Sequence, residues 1–210
     1  MSLPPPTPTQ AYCDVSALEA GIIHLPTERF IHDGKPGEVV VAPSLSFLLR
    51  HAKTGHKFIF DLGLRKDWEN YPPSIVRYVE QVFRLDIPQD VCESLKKGGL
   101  SPDDVDAAGH LPGHINVVAR TSSDGGWLLL AGDSAHHWRL ITGESQIADN
   151  ISGYIGRCAH VDKKAAEEHI KRLRAFMQLP RTRILLAHDE PWYKENKGGD
   201  AFFPGKIPSM

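Results

Sequence analysis

The sequence predicts an α/β fold, and three observations carry the prediction. Ile115 to Ala119, Trp127 to Ala131 and Ile184 to Ala187 are short, nearly continuous apolar runs bounded by turn residues, the pattern of strands buried on both faces. The stretch Asp162 to Gln178 instead sets Ala166, Ile170, Leu173, Phe176 and Met177 on one helical side, with Lys163, Lys164, Glu167, Lys171 and Arg174 on the other. Clusters of turn formers, Tyr71-Pro72-Pro73-Ser74, Gly98-Gly99 and Thr121 to Gly126, separate the runs.

Residues 1–12 form a Pro-rich leader, extended in character. Val15 to His24 and Val39 to His51 read as strands, the second alternating Ser44 and Ser46 against Leu45, Phe47 and Leu49, and Lys57 to Asp61 is a short buried strand. Ile75, Val76, Val79, Val82 and Phe83 recur at helical spacing, and Asp90 to Lys97 is a second short helix. Strands Ile115 to Arg120 and Trp127 to Ala131 flank a hairpin turn. His160, His169 and the Glu167-Glu168 pair read as a solvated face. One domain spans residues 13–195, and residues 196–210 read as a C-terminal coil, loose and rich in Gly and Pro.

Composition excludes several classes of function. At 210 residues, with 41% hydrophobic and 24% charged residues, the chain matches an ordinary globular protein with one core. A net charge of -2 gives no footing for nucleic acid or an anionic membrane as partner. Cys13, Cys92 and Cys158 are widely spaced and form no Cys-x-x-Cys pair, which fits a reducing compartment. The amino terminus lacks the charged start and apolar core of a secretory signal, so the expected location is the cytoplasm.

Three motifs carry the chemistry: Gly109-His110-Leu111-Pro112-Gly113-His114, Gly132-Asp133 and Ala187-His188-Asp189. Each sets a metal-competent side chain at a strand end, and strands of one sheet deliver their ends to one edge. His110, Asp133 and His188 are therefore expected to converge, and imidazoles with a carboxylate suit zinc.

With the run from Leu45 to Gly63, these motifs resemble the metallo-β-lactamase superfamily over about Ala17 to Trp192. Within it, the chain is similar to the lactonase-like and lactamase-like hydrolases, including acyl-homoserine-lactone lactonases and fungal relatives. The resemblance implies an αββα sandwich. It assigns His110, Asp133 and His188 as metal ligands, Asp61 as the buried acid that orients a ligand from behind, His114 as a residue that supports a ligand or positions the strand, and Trp68 and Tyr71 as walls of the substrate pocket. Where several bacterial lactonases carry a Tyr three residues past the bridging Asp, this chain has His136, so help to the leaving group comes from a different side chain and His136 is the candidate catalytic residue.

The departure from the family pattern is as informative. The lead-in Ser101-Pro102-Asp103-Asp104-Val105-Asp106 is present, but the His-x-His-x-Asp-His loop that comes after it in complete members is absent, as if deleted at Asp106-Ala107. A complete member holds two zinc ions; this chain is expected to hold one or none. The resemblance implies metal-assisted opening of a small lactone or lactam, as in detoxification of a xenobiotic, with a non-catalytic relic or binding protein as the alternative. The deletion is further expected to leave Leu45, Phe47 and Phe60 with fewer partners and to expose apolar surface.

Overall fold

The computed structural model describes residues 2–108, 115–149, 151, 158–160 and 162–210. A five-stranded sheet is built from β1 (Cys13–Pro26), β2 (Val39–His51), β3 (Lys57–Phe60), β4 (Arg84–Asp86) and β5 (Asp106–Ala108), in the order β4-β1-β2-β3-β5. A three-stranded sheet contains β6 (Val117–Arg120), β7 (Trp127–Gly132) and β8 (Thr182–Leu186) in chain order. The helices are α1 (Pro73–Val82), α2 (Val91–Lys97), α3 (Trp138–Thr142), α4 (Lys163–Met177) and α5 (Glu190–Asn196).

The period-two alternation of the strands decides the layers. Val15, Ala17, Leu45, Phe47 and Phe60 of the first sheet pack against Ala119, Leu128, Leu130 and Leu185 of the second. The opposite face of the second sheet, Leu129, Ala131, Ile184 and Leu186, is covered by Leu140 and Ile141 of α3 and by Ile170, Leu173 and Phe176 of α4. The opposite face of the first, Leu18, Leu48 and Ile59, is covered by Val91 and Leu95 of α2. The result is the expected αββα sandwich, in which each fully buried Leu or Phe contributes about 1.5–3 kcal/mol.

Several expectations need correction. Leu45, Phe47 and Phe60 are at most 1% exposed, so the apolar faces expected to lose partners are closed by the second sheet. The Asp106-Ala107 junction lies within β5, which pairs in parallel with β3 at Phe58↔Asp106 and Ile59↔Ala107. Residues 197–210 carry no helix or strand, but they are not loose, being bonded to β1: Ala17 N–H donates to Ala201 O (3.0 Å), Phe203 N–H to Ala17 O (3.0 Å) and Ile207 N–H to Val15 O (2.7 Å). The leader is also engaged, with Arg120 Nη2 donating to Pro4 O at 3.0 Å. Helix α1 has its predicted apolar spacing but buries no residue.

Arg174 and His169, both read as part of a solvated face, make specific bonds, and His169 is half-buried while Arg174 remains exposed. Arg174 Nε donates to Ile141 O at 2.9 Å and Nη2 to Leu140 O at 3.2 Å, which satisfies carbonyls that α3 leaves open at its end. Gly143 ends that helix at φ 85°, and a side chain there would strike the Arg174 guanidinium. His169 is half-buried and bonded to Ser134 and Asn116.

Candidate active site

The site grows from the parallel pairing of β7 and β8. Their register aligns Gly132 with Leu186, so the residues just beyond emerge at one edge. Ala187 N–H donates to Gly132 O (3.0 Å), and Ala187 O accepts from Leu45 N–H (2.9 Å), which pins this edge to β2 of the other sheet. Asp133 and His188 are thus held close by backbone bonds before their side chains interact.

The His188 ring is fixed at both nitrogens. Nδ1 donates a hydrogen bond to Pro43 O at 2.8 Å, which leaves Nε2 as the nitrogen facing Asp133 Oδ1, 3.2 Å away. Pro43 sits where β2 has β1 on one side but β3, which pairs only from Phe47 to Arg50, no longer on the other; a strand edge accommodates proline. The side chains of His188 and Asp133 are 11% and 25% exposed. Burial opposes charge on the His188 ring, but the bond to Asp133, its charge, Pro43 O and the charge of Asp61 outweigh it and hold the ring's proton affinity above the ordinary value.

Asp61 directly follows β3, is buried, and adopts the left-handed φ of 67°. Its Oδ1 accepts from Gly63 N–H at 2.9 Å. Gly63 is required in this turn, because at φ 60° a Cβ would stand 2.2 Å from Ala20 Cβ. The ring of His136 stacks on Phe30 at 4.8 Å between centroids and lies 6.3 Å from His188 and 5.5 Å from His160. His136 and His188 border a cavity of about 300 Å³ whose walls include Val39, Val41, Trp138 and Lys194.

Other expected residues fall elsewhere. His110 and His114 lie outside the described residues. Trp68 is half-buried in a 3-10 turn, and Tyr71 is exposed beneath the Arg65 guanidinium, 5.1 Å from the ring centroid; neither is among the described residues lining the cavity.

Asp189 carries a role that the sequence pattern does not assign. It is 1% exposed and accepts from Trp138 Nε1 (2.6 Å), Trp192 N–H (3.1 Å) and Leu186 N–H (3.3 Å), so it caps α5 and anchors the indole beside the cavity. Burial pushes its carboxyl up to about 6, against the pull of these donors. The run Asp189-Glu190-Pro191 is the available signal: a capping residue with proline in the first turn after it.

The donor pair can be tested for fit to a metal. Two ligands at roughly 2.0–2.1 Å from a tetrahedral ion stand about 3.3 Å apart. The 3.2 Å between His188 Nε2 and Asp133 Oδ1 meets that spacing, and the carbonyl bond at Nδ1 is the usual partner of a metal-binding imidazole. Among the described residues no group of three or more His, Cys, Asp or Glu side chains stands at metal-holding distance.

No model of a known protein family matches the chain. It is 33% identical over 131 residues to the metallo-hydrolase mfmC of Annulohypoxylon moriforme, an alignment covering 57% of this chain and 34% of that protein. It is 32% identical over 108 residues to the gamma-lactamase FDB1 of Fusarium pseudograminearum, covering 46% and 26%. The chain thus spans about a third or less of the length of these curated relatives. Among solved structures, an N-acyl homoserine lactone hydrolase with the product N-hexanoyl-L-homoserine at its catalytic metal centre matches with a TM-score of 0.66 over 94% of this chain and 100% of that one; at 15% identity, the likeness is one of fold. With its αββα sandwich the chain shares the fold of these lactone hydrolases, and over part of its length it is similar in sequence to the metallo-hydrolase and the gamma-lactamase.

Proposed function

We propose that this chain is a metal-dependent hydrolase that opens a small lactone or lactam ring, with Asp133 and His188 as its described metal donors. The observation that carries this reading is their 3.2 Å separation with the His188 tautomer set by Pro43 O. The names of the relatives, a metallo-hydrolase and a gamma-lactamase, support the reaction class. His110 is the third donor proposed from the motif. Zinc, when bound, supplies Lewis-acid polarisation of a carbonyl and a nucleophile at neutral pH.

The chain's own residues hold and orient. Asp133 and His188 would hold the ion, and the Nδ1 contact with the carbonyl of Pro43 leaves the His188 Nε2 lone pair on the side of Asp133. Asp61 adds negative charge behind the ring. His136, on the cavity wall, is the group from which a proton passes to the leaving ring oxygen or nitrogen, while Val39 and Val41 offer apolar surface to the rest of the substrate. Trp68 and Tyr71 are proposed walls only for a substrate long enough to leave that cavity. Three free thiols and a chain in which no described helix is long and apolar enough to cross a membrane support a cytoplasmic setting.

The rival reading, a non-catalytic relic or binding protein, draws on the missing His-x-His-x-Asp-His motif and on the single described donor pair. Metal analysis of the purified chain, with a panel of lactones and lactams, separates the two. About one ion per chain together with ring opening is expected. Fewer than about one ion in ten chains, with no hydrolysis, favours the relic.

A further inference from the structure

Beside the metal pair lies a polar node that joins three distant segments. His169 stands on α4 next to Ile170, which is docked on the second sheet. Its Nε2 is 2.9 Å from Asn116 Nδ2, just before β6, and 3.0 Å from Ser134 Oγ, just after β7. Ser134 Oγ in turn lies 2.9 Å from Asn116 Oδ1, to which it donates. Ser134 is 5% exposed and directly succeeds Asp133, and its N–H closes the turn by donating to Ala131 O at 3.0 Å. Ser134 therefore cannot shift without carrying Asp133 with it.

Two chemical readings of the node compete. A serine and a histidine at 3.0 Å suggest a nucleophile and its base, but here Asn116 reaches both of them. Asn116 and Ser134 both meet Nε2, the hydroxyl proton goes to Asn116 Oδ1, and the serine is buried. In a nucleophile and base pair the hydroxyl proton would point at the imidazole instead. A part-buried polar network of this kind favours one geometry in its surroundings.

We propose that His169 is a positioning residue for the metal site, acting through Ser134 and Asn116 to hold the Asp133 carboxylate facing His188. The inference rests on the reading of Asp133 and His188 as metal donors. It adds a device from the opposite side of the sheet: α4 covers the outer face of β7 and β8, and His169 reaches from that layer to the loop carrying the ligand. Outer partners of this kind typically govern metal affinity by about 10–100-fold.

The test compares His169→Leu, which removes the acceptor, with His169→Gln, whose Oε1 reaches the position of Nε2 and can accept from Asn116. Leu173→Ala is the control, because it loosens α4 without touching the node. Two quantities are read: the ring nitrogen resonances of His188 in metal-free protein, and zinc affinity against a competing chelator. His169→Leu is expected to shift the His188 resonances and to weaken zinc by about 10–100-fold, His169→Gln to restore both, and Leu173→Ala to lower the melting temperature with neither change. If His169→Leu does not fold, Ser134→Ala takes its place with the same expectation. Unchanged His188 resonances and zinc affinity in the leucine variant, no rescue by glutamine, or the same changes in Leu173→Ala would overturn the proposal. A wild-type chain that binds no zinc overturns the metal-dependent reading alone, since the metal-free resonances still decide whether His169 orients the pair.

Discussion

The segment after β8 and the segment after β3 both leave a sheet at a residue expected in the site, yet they end differently. After β8, Ala187 is bonded to both sheets, His188 to Pro43 and Asp189 to three donors, so each successive residue has one available position. After β3, Asp61 and Gly63 form a tight turn and Leu64 N–H still donates to Ala20 O at 2.9 Å. Beyond that point Arg65, Asp67 and Asn70 bond among themselves at the surface. Strand register governs the chain for two or three residues past a strand end; farther on, local turn chemistry takes over.

The largest effect that probes this contrast is Asp189→Ala. It would strand the N–H groups of Trp138, Trp192 and Leu186 in the interior, at a total cost of about 4 kcal/mol. A fall in the urea midpoint at unchanged slope is expected, and a neutral result would break the comparison.

Next comes the pH response of the same carboxyl. Its folded value of about 6 lies above the ordinary 3.8, so the native state binds the proton more tightly than the unfolded chain. The contribution to stability is then full below about pH 4 and falls as pH rises to about 6, by about 3 kcal/mol at most. Asp189→Asn should flatten that portion of a series of urea midpoints; a slope that persists would assign it to other groups.

His188→Ala is expected to weaken zinc by about 100-fold, or about 2.7 kcal/mol, in a chelator competition. Asp61→Asn keeps a side chain that tolerates the left-handed turn but removes its charge. The His188 proton affinity of metal-free protein should then move down in an NMR titration; an unmoved value would show that Asp61 acts elsewhere. The smallest effect is that of Tyr71→Ala, an exposed position, where stability should stay within about 0.5 kcal/mol and turnover of small lactones unchanged. A loss of turnover would make the segment after β3 part of the pocket and sharpen the comparison in the opposite direction.

The same distinction explains which features are legible in the sequence. The layers come from alternation: Leu128 and Leu130 face one way, Leu129 and Ala131 the other. The approach of Asp133 to His188 comes from two apolar runs that each end in a ligand type, because such runs pair in parallel and finish together. Periodicity alone does not say what a helix meets. The spacing in α1 resembles that in α4, but α4 buries Ile170, Leu173 and Phe176 while α1 buries nothing. The bonds of Arg174 and His169 are not legible because their partners, the carbonyls of α3 and the side chains of Ser134 and Asn116, are more than 30 residues away in sequence.

The tail that lies along β1 also bears on association between molecules. Alongside Val15 and Ala17, the side of β1 away from β2 has no described strand, since β4 pairs only with Ile22, Ile23 and His24. An outermost strand with free amides and carbonyls is a template on which another chain can add. Here Ala201, Phe203 and Ile207 already occupy the Ala17 amide and the Ala17 and Val15 carbonyls. Residues 201–207 thus cover this stretch of edge, and removing them would expose the Ala17 amide and the Val15 and Ala17 carbonyls to a neighbouring chain.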